Sequence, residues 1–179
     1  MERSKGMKNK KKVCFCASSG GHYEQLMKLE PIMRQQDSYL ITEYTDYNKG
    51  ESEKKDINKV FYLLQINRLE FFWIVKLIWI SLKSLYILLR IRPKVVICTG
   101  VLAMIPFCLL SKMFGAKLIY IESFAKVTTP TLTGRILYRY ADRFYVQWES
   151  MLDIYPNAVY KGGALLGDFY NCRDSKTPF

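Results

Sequence analysis

One stretch constrains the fold of this chain more than any other. Val13-Cys14-Phe15-Cys16-Ala17-Ser18-Ser19-Gly20-Gly21-His22 is an apolar run that breaks into small residues and then enters an amphipathic segment, 23–34. A strand that feeds a glycine turn and a helix opens a β–α–β arrangement. The same geometry seats an anion, because the first helical turn has unpaired N–H groups and glycines let a ligand approach the backbone. Ser18, Ser19, Gly20 and Gly21 leave room there, and His22 is the single histidine among 179 residues. An ordinary first βα turn, with glycines that serve only packing, accounts for the same residues, since a lone glycine-rich loop is a weak signal.

Beyond this stretch the chain alternates between two kinds of segment. Short apolar runs at 38–42, 60–64, 94–98, 117–121, 142–148 and 158–160 read as strands. Helices are expected over 23–34, 101–114 and 134–141, with a helical turn or two at 149–154. Leu26, Leu29, Ile32 and Met33 give the first helix one buried stripe. Lys94-Val95-Val96-Ile97-Cys98 shows no alternation, as in a parallel strand covered on both faces. The expected fold class is therefore α/β, a doubly wound, mostly parallel, Rossmann-like sheet. At this length one domain is expected, over 13–167, between a flexible basic arm at 1–12 and a tail at 168–179. The polar stretch 43–59, with Asn48-Lys49-Gly50 as a turn signal, reads as an exposed loop.

The segment 69–91 stands apart. It is close to the roughly 20 residues that span a bilayer. Lys76, Lys83 and Arg90 interrupt it every seven residues, on one helical face with Phe72, Trp79 and Tyr86. Another face carries Ile74, Ile78, Leu82, Leu85 and Leu89. The aliphatic face suits a protein core, and the basic and aromatic one suits a membrane headgroup layer. Two lysines near mid-membrane would cost several kcal/mol, so an interfacial helix is expected rather than a span. A buried domain helix with solvated lysines remains the alternative.

Charge narrows the partners. The net charge is +11, from 27 Lys and Arg against 16 Asp and Glu. Such a balance favours nucleic acid or an acidic lipid surface. The missing RNP-like or zinc-finger patterns weaken the first, so no nucleic acid is expected. The apolar run 13–17 is too short for a secretory signal after the basic arm. Five scattered cysteines without a CxxC pair suit a reducing cytoplasm, and with one histidine they argue against a metal site. There is no Asp-x-Asp, GxxxxGK[ST] or full GxGxxG, which counts against metal-dependent single-domain sugar transferases, nucleoside triphosphatases and dehydrogenases.

In an open α/β sheet, ligands bind beyond the carboxyl ends of the strands. Three loops lie there: 18–22, 98–102 and 122–133. They supply His22 and Glu122 as candidate general bases, and Ser18, Ser19, Gly20, Gly21, Thr99, Gly100, Ser123 and Lys126 as candidate acceptor or phosphate contacts. His22 also suits a helix cap, and Glu122 suits an ion pair with Lys126 or Arg135.

Four of these motifs, in order, carry a resemblance. Ala17-Ser18-Ser19-Gly20-Gly21-His22 with its helix, Arg92-Pro93-Lys94-Val95-Val96-Ile97-Cys98-Thr99-Gly100, Ile119-Tyr120-Ile121-Glu122-Ser123 and Arg143-Phe144-Tyr145-Val146-Gln147-Trp148 resemble the Alg14-like proteins. These include bacterial capsule and exopolysaccharide proteins of the PssD, EpsE and CpsF type. The resemblance runs from about Lys12 to Gly163. It implies half of a GT-B glycosyltransferase, equivalent to the N-terminal acceptor domain of MurG, with an Alg13-like polypeptide as the donor half.

The resemblance further implies a lipid-pyrophosphate-linked sugar as acceptor, such as one on undecaprenyl pyrophosphate. The donor would be a UDP-sugar, bound mainly by the partner, that gives up a hexose (galactose, by analogy with the capsule branch). No other cofactor is implied. Eukaryotic members have an N-terminal anchor where this chain shows a basic arm. Monotopic attachment to an anionic membrane surface, at the cytoplasmic face of a bacterial cell membrane, is therefore expected. The stretch 160–169 and the carboxyl-end loops are the implied partner contacts. A scaffold that only anchors and stabilises the catalytic subunit is the alternative. A stand-alone nucleotide-sugar enzyme or nucleic-acid binder is the third reading.

Overall fold

The structure, a computed structural model, describes residues 10–45, 57, 59–66 and 71–163. Most of the arm 1–12 and of the loop 43–59, the start of 69–91, the tail 168–179 and most of the contact stretch 160–169 lie outside these residues. Seven strands form one sheet: β1 (Lys12–Ala17), β2 (Asp37–Glu43), β3 (Lys59–Leu63), β4 (Val95–Cys98), β5 (Lys117–Ile121), β6 (Arg143–Val146) and β7 (Val159–Tyr160). Their order is β3-β2-β1-β4-β5-β6-β7, and every neighbouring pair is parallel. The doubly wound α/β expectation therefore holds, with the strand order reversing between β1 and β4.

Alternate residues of β1 serve two cores. Cys14 and Cys16 face one with α3 (Trp73–Ile91), α4 (Ile105–Met113) and α5 (Leu132–Leu137). Val13, Phe15 and Ala17 face the other, with α1 (Gly21–Met27) and α2 (Glu30–Gln35). Burial on both sides explains the unbroken apolar runs. The segment expected to form one helix over 23–34 is these two short ones, because Pro31 at the start of α2 has no N–H to continue an α-helical ladder. Leu26, Leu29 and Met33 are buried as expected, whereas Ile32 is exposed.

Helix α3 is the main correction. Its buried stripe is Ile80, Ser84, Ile87, Leu88 and Ile91. The aliphatic face read as core points outward: Ile74, Ile78, Leu82 and Leu89 are exposed, beside Val75, Trp79 and Tyr86. Lys76 and Lys83 are half-buried at the border of that face, and Arg90 is exposed. A helix that is apolar nearly all round gives periodicity no means of choosing the inward side. Arg92 ends α3 in the left-handed region (φ 53), ahead of Pro93, which disfavours a helical residue before it. Among the described residues no helix is long and apolar enough to cross a membrane.

Candidate functional site

The reversal of strand order between β1 and β4 opens a crevice at the carboxyl edge of the sheet, where ligands of such folds bind. Two loops meet there. The first leaves β1 through Ser18 and Gly20 and enters α1 at Gly21. The second leaves β4 through Thr99 and Gly100 and enters a short 3₁₀ turn, Leu102–Met104, before α4. They interlock twice: His22 Nδ1 lies 2.7 Å from the Thr99 carbonyl oxygen, and the Thr99 hydroxyl donates to the His22 carbonyl at 2.9 Å. A carbonyl only accepts, so Nδ1 carries a proton, and in the neutral tautomer the lone pair lies on Nε2. His22 is half-buried. The ring is thus held by one nitrogen, and among the described residues the other has no hydrogen-bond partner.

Gly100 makes that placement sterically possible. A Cβ there would sit 2.8 Å from His22 Cε1 and 2.9 Å from Nδ1, and its φ of +132 lies where side chains rarely go. The next residue, Val101, has φ 81 despite its branched side chain. Such a conformation costs on the order of 1–3 kcal/mol and persists only where the surroundings impose it. Here Gly100 is buried, and Met104 N–H holds the Val101 carbonyl at 3.1 Å.

Glu122, at the end of β5, has a different environment. It is fully buried, and protein donors take both its carboxylate oxygens. Oε1 accepts from Ser123 N–H at 2.9 Å and from the Thr131 hydroxyl at 2.8 Å. Oε2 accepts from the Tyr155 hydroxyl at 3.1 Å and from Thr131 N–H at 3.4 Å. The single proton of Thr131 goes to Glu122, so Tyr120 donates to Thr131 Oγ1 at 3.2 Å, and Gly134 N–H donates to the same oxygen at 2.9 Å to cap α5. A Cβ on Gly134 would fall 2.1 Å from Glu122 Oε2. Burial, reinforced by the Glu122 charge, pushes the Tyr155 and Tyr120 hydroxyls well up, which keeps them as donors. A carboxylate so enclosed holds the 122–131 loop and the start of α5. The ion pair considered with Lys126 or Arg135 is not formed, and no reacting hydroxyl has access to it.

The other expected residues fall into two groups. Ser18 is buried, its hydroxyl donating to the Ser19 carbonyl at 3.2 Å. Ser19, Gly20 and Gly21 line the exposed side of the first loop. Ser123 is buried beside Glu122, whereas Lys126 is half-exposed further along that loop. Helix α1 has only seven residues, so its N-terminal field is weaker than the sequence suggested. Among the described residues no group of His, Cys, Asp or Glu is placed to hold a metal ion.

Two positions were missed. Gln25 clamps the 122–124 turn to α1, donating to the Glu122 carbonyl at 2.9 Å and accepting from Phe124 N–H at 3.2 Å. Its signal was a glutamine between the apolar Tyr23 and Leu26. Glu43 is buried at the carboxyl end of β2, and burial pushes its carboxyl up to about 7 against the opposing pull of the Ile66 backbone. An acid that closes an apolar strand was its signal.

The comparisons with known proteins agree with this fold. The family model described as "Oligosaccharide biosynthesis protein Alg14 like" matches residues 13–164, the whole of the described sheet beyond its first residue. The chain is 28% identical over 178 residues to the rat UDP-N-acetylglucosamine transferase subunit ALG14, covering 84% of this chain and 81% of that one. It is 25% identical to the human subunit of the same name over equal shares. Among solved structures, MurG of Acinetobacter baumannii has a TM-score of 0.65 at 15% identity, covering 78% of this chain and 42% of that one. A UDP-N-acetylglucosamine 2-epimerase has the same TM-score at 10% identity, covering 95% of this chain and 53% of that one. These likenesses show a shared Rossmann-like α/β fold, and the chain spans about half the length of either solved structure.

Proposed function

Because the chain belongs to the Alg14-like family of oligosaccharide biosynthesis proteins, we propose that it is the acceptor-side subunit of a two-part glycosyltransferase. The carrying observation is the His22–Thr99 interlock at the crevice, which occupies Nδ1 and leaves Nε2 of the neutral ring as the atom to act as base. In an inverting displacement, Nε2 takes the proton of the acceptor hydroxyl as that oxygen bonds to the sugar's anomeric carbon. The bond from that carbon to the diphosphate breaks, and UDP leaves with the electron pair. Ser18, Ser19, Gly20, Gly21, Thr99 and Gly100 border the acceptor side, and Lys126 offers a cation for its pyrophosphate. Glu122 and Ser123 act through the loop they hold.

The donor half is a separate Alg13-like subunit that binds most of the UDP-sugar. The relatives' names carry N-acetylglucosamine, whereas analogy with the capsule branch gives galactose. The partner decides between them, since it holds the donor. The acceptor is a sugar on a lipid pyrophosphate, in bacterial capsule or exopolysaccharide assembly. The outward face of α3 lies on the anionic cytoplasmic leaflet, with Phe72, Trp79 and Tyr86 among its apolar rings and Lys76, Lys83 and Arg90 along its border.

The test is sugar transfer to a lipid-linked acceptor by this chain alone, by its donor-binding partner alone, and by both with membranes. Transfer only, or at least tenfold faster, in the mixture is expected. Full activity from this chain alone would defeat the half-enzyme reading. A non-catalytic scaffold is the second reading, favoured by the enclosure of Glu122, which leaves one candidate base. It predicts that the His22→Ala complex keeps its turnover.

A further inference from the structure

The outward apolar face does not end with α3. Leu89 is followed in space by Phe114, the exposed C-cap of α4, which comes after the exposed Met113 in the chain. Between them lies a bowl of about 360 Å³ lined by Leu89, Arg92, Pro93, Lys94 and Phe114. In a parallel β–α–β crossover the helix runs back against the strands, so this bowl lies at the amino edge of the sheet, opposite His22. That edge is strongly basic: Lys12, Lys59, Lys94, Lys117 and Arg143 are all exposed at strand starts. Asp37, half-buried, is the acid at a strand start, and Asp142 is tied to Lys112 at 2.6 Å and to Leu118 N–H at 2.7 Å. Among the described residues neither Arg92 nor Lys94 has an ion-pair partner, and the αL cap fixes the backbone from which Arg92 projects.

We propose that this bowl is a headgroup site for an anionic phospholipid, seated where the apolar face of α3 and α4 meets the basic amino edge. The inference rests on the reading that this face lies on an anionic membrane, and it adds where on the protein a single headgroup is held. Leu89, Phe114 and Met113 enter the acyl boundary, while Arg92 and Lys94 reach the phosphate. The carbonyl end of α3 favours cations. It holds the two side chains near the bowl, and the anion is drawn by them alone. A bilayer fits better than a second copy of this chain, because two copies of so basic an edge would repel. With both ends of α3 on the surface, the crevice at the other edge is kept within reach of a lipid-linked acceptor.

The experiment is flotation of the full chain with vesicles of phosphatidylcholine, with or without one third phosphatidylglycerol, at fixed salt. Wild type should bind the anionic vesicles at least tenfold more tightly. Arg92→Asn with Lys94→Gln should lose roughly thirty-fold on anionic vesicles, from about 1 kcal/mol per cation near such a surface, with little change on neutral ones. Asparagine tolerates the αL backbone at position 92. Lys28→Gln with Lys161→Gln removes equal charge elsewhere and should lose less than threefold. Equal losses in the two double variants would overturn the headgroup site while leaving membrane docking intact.

Equal binding of wild type to both vesicles would also overturn the site. Binding to neither would remove the membrane reading itself. Leu82→Glu should abolish binding to both. If it instead splits a dimer seen by sedimentation, the face is a self-interface and the proposal falls. Glycerol phosphate at 10 mM or more should not compete. Full competition would make the bowl a site for a soluble phosphate.

Discussion

His22 and Glu122 stand at the same edge of one sheet, and their surroundings separate them. The histidine ring is half-buried and tied by one nitrogen to the Thr99 carbonyl, with the second nitrogen uncommitted among the described residues. The glutamate is fully buried, with four protein donors on its two oxygens. Proximity to the ligand edge does not assign a chemical role. Whether the polar atom still has a lone pair facing substrate does, because a carboxylate already saturated by the protein gains nothing from a reacting hydroxyl. Glu122 is therefore architecture, and in the proposed reaction His22 is the candidate base.

The largest effect expected from this contrast is on stability. Glu122→Ala would strand the Ser123, Thr131 and Tyr155 donors and should cost about 3–5 kcal/mol by denaturant unfolding. A cost below 1 kcal/mol would erase the distinction. His22→Ala should leave stability within about 1 kcal/mol but lower the complex's turnover at least a hundredfold, within the range for a positioned base. Partner affinity, measured separately, should not change.

Gly100→Ala sharpens the contrast, because it moves the ring without removing it. Its Cβ would meet the imidazole, and the left-handed backbone strains any side chain. A loss of about 2 kcal/mol in stability and about tenfold in turnover is expected. Unchanged turnover would mean that the ring's position does not matter.

Glu43 gives the smallest effect and an internal contrast, a buried carboxyl at the same edge with a raised pKa. Burial raises it from near 4.5 to about 7. Between those values the folded state binds more protons than the unfolded chain. This group's contribution is thus complete below about 4.5 and lost as pH rises through about 7. Glu43→Gln should remove a decline on the order of 1–2 kcal/mol across that window. An unchanged slope would place the proton uptake elsewhere.

The fold was legible because parallel strands buried on both faces leave unbroken apolar runs, and turn residues mark their ends. Val13-Cys14-Phe15-Cys16-Ala17 and its glycine turn located β1 and the crevice directly. Less was legible wherever partners are distant in sequence. His22 and Thr99 are 77 positions apart, and Glu122 meets Tyr155 across 33. Reading those residues singly revealed that each is polar at a strand end, but not which atoms are already taken. The inward side of α3 was illegible for another reason. Both of its sides are apolar, and only the burial of Ile80, Ser84, Ile87, Leu88 and Ile91 in the folded chain distinguishes them.

The most direct measurement is the transfer rate of the reconstituted complex with His22→Gln and with Glu122→Gln, each divided by its folded fraction. His22→Gln should lose at least a hundredfold at nearly wild-type melting temperature. Glu122→Gln should melt lower yet keep, per folded molecule, a rate within about threefold of wild type. A folded Glu122→Gln complex slowed a hundredfold, with His22→Gln unimpaired, would reverse the assignment and place the base on the glutamate.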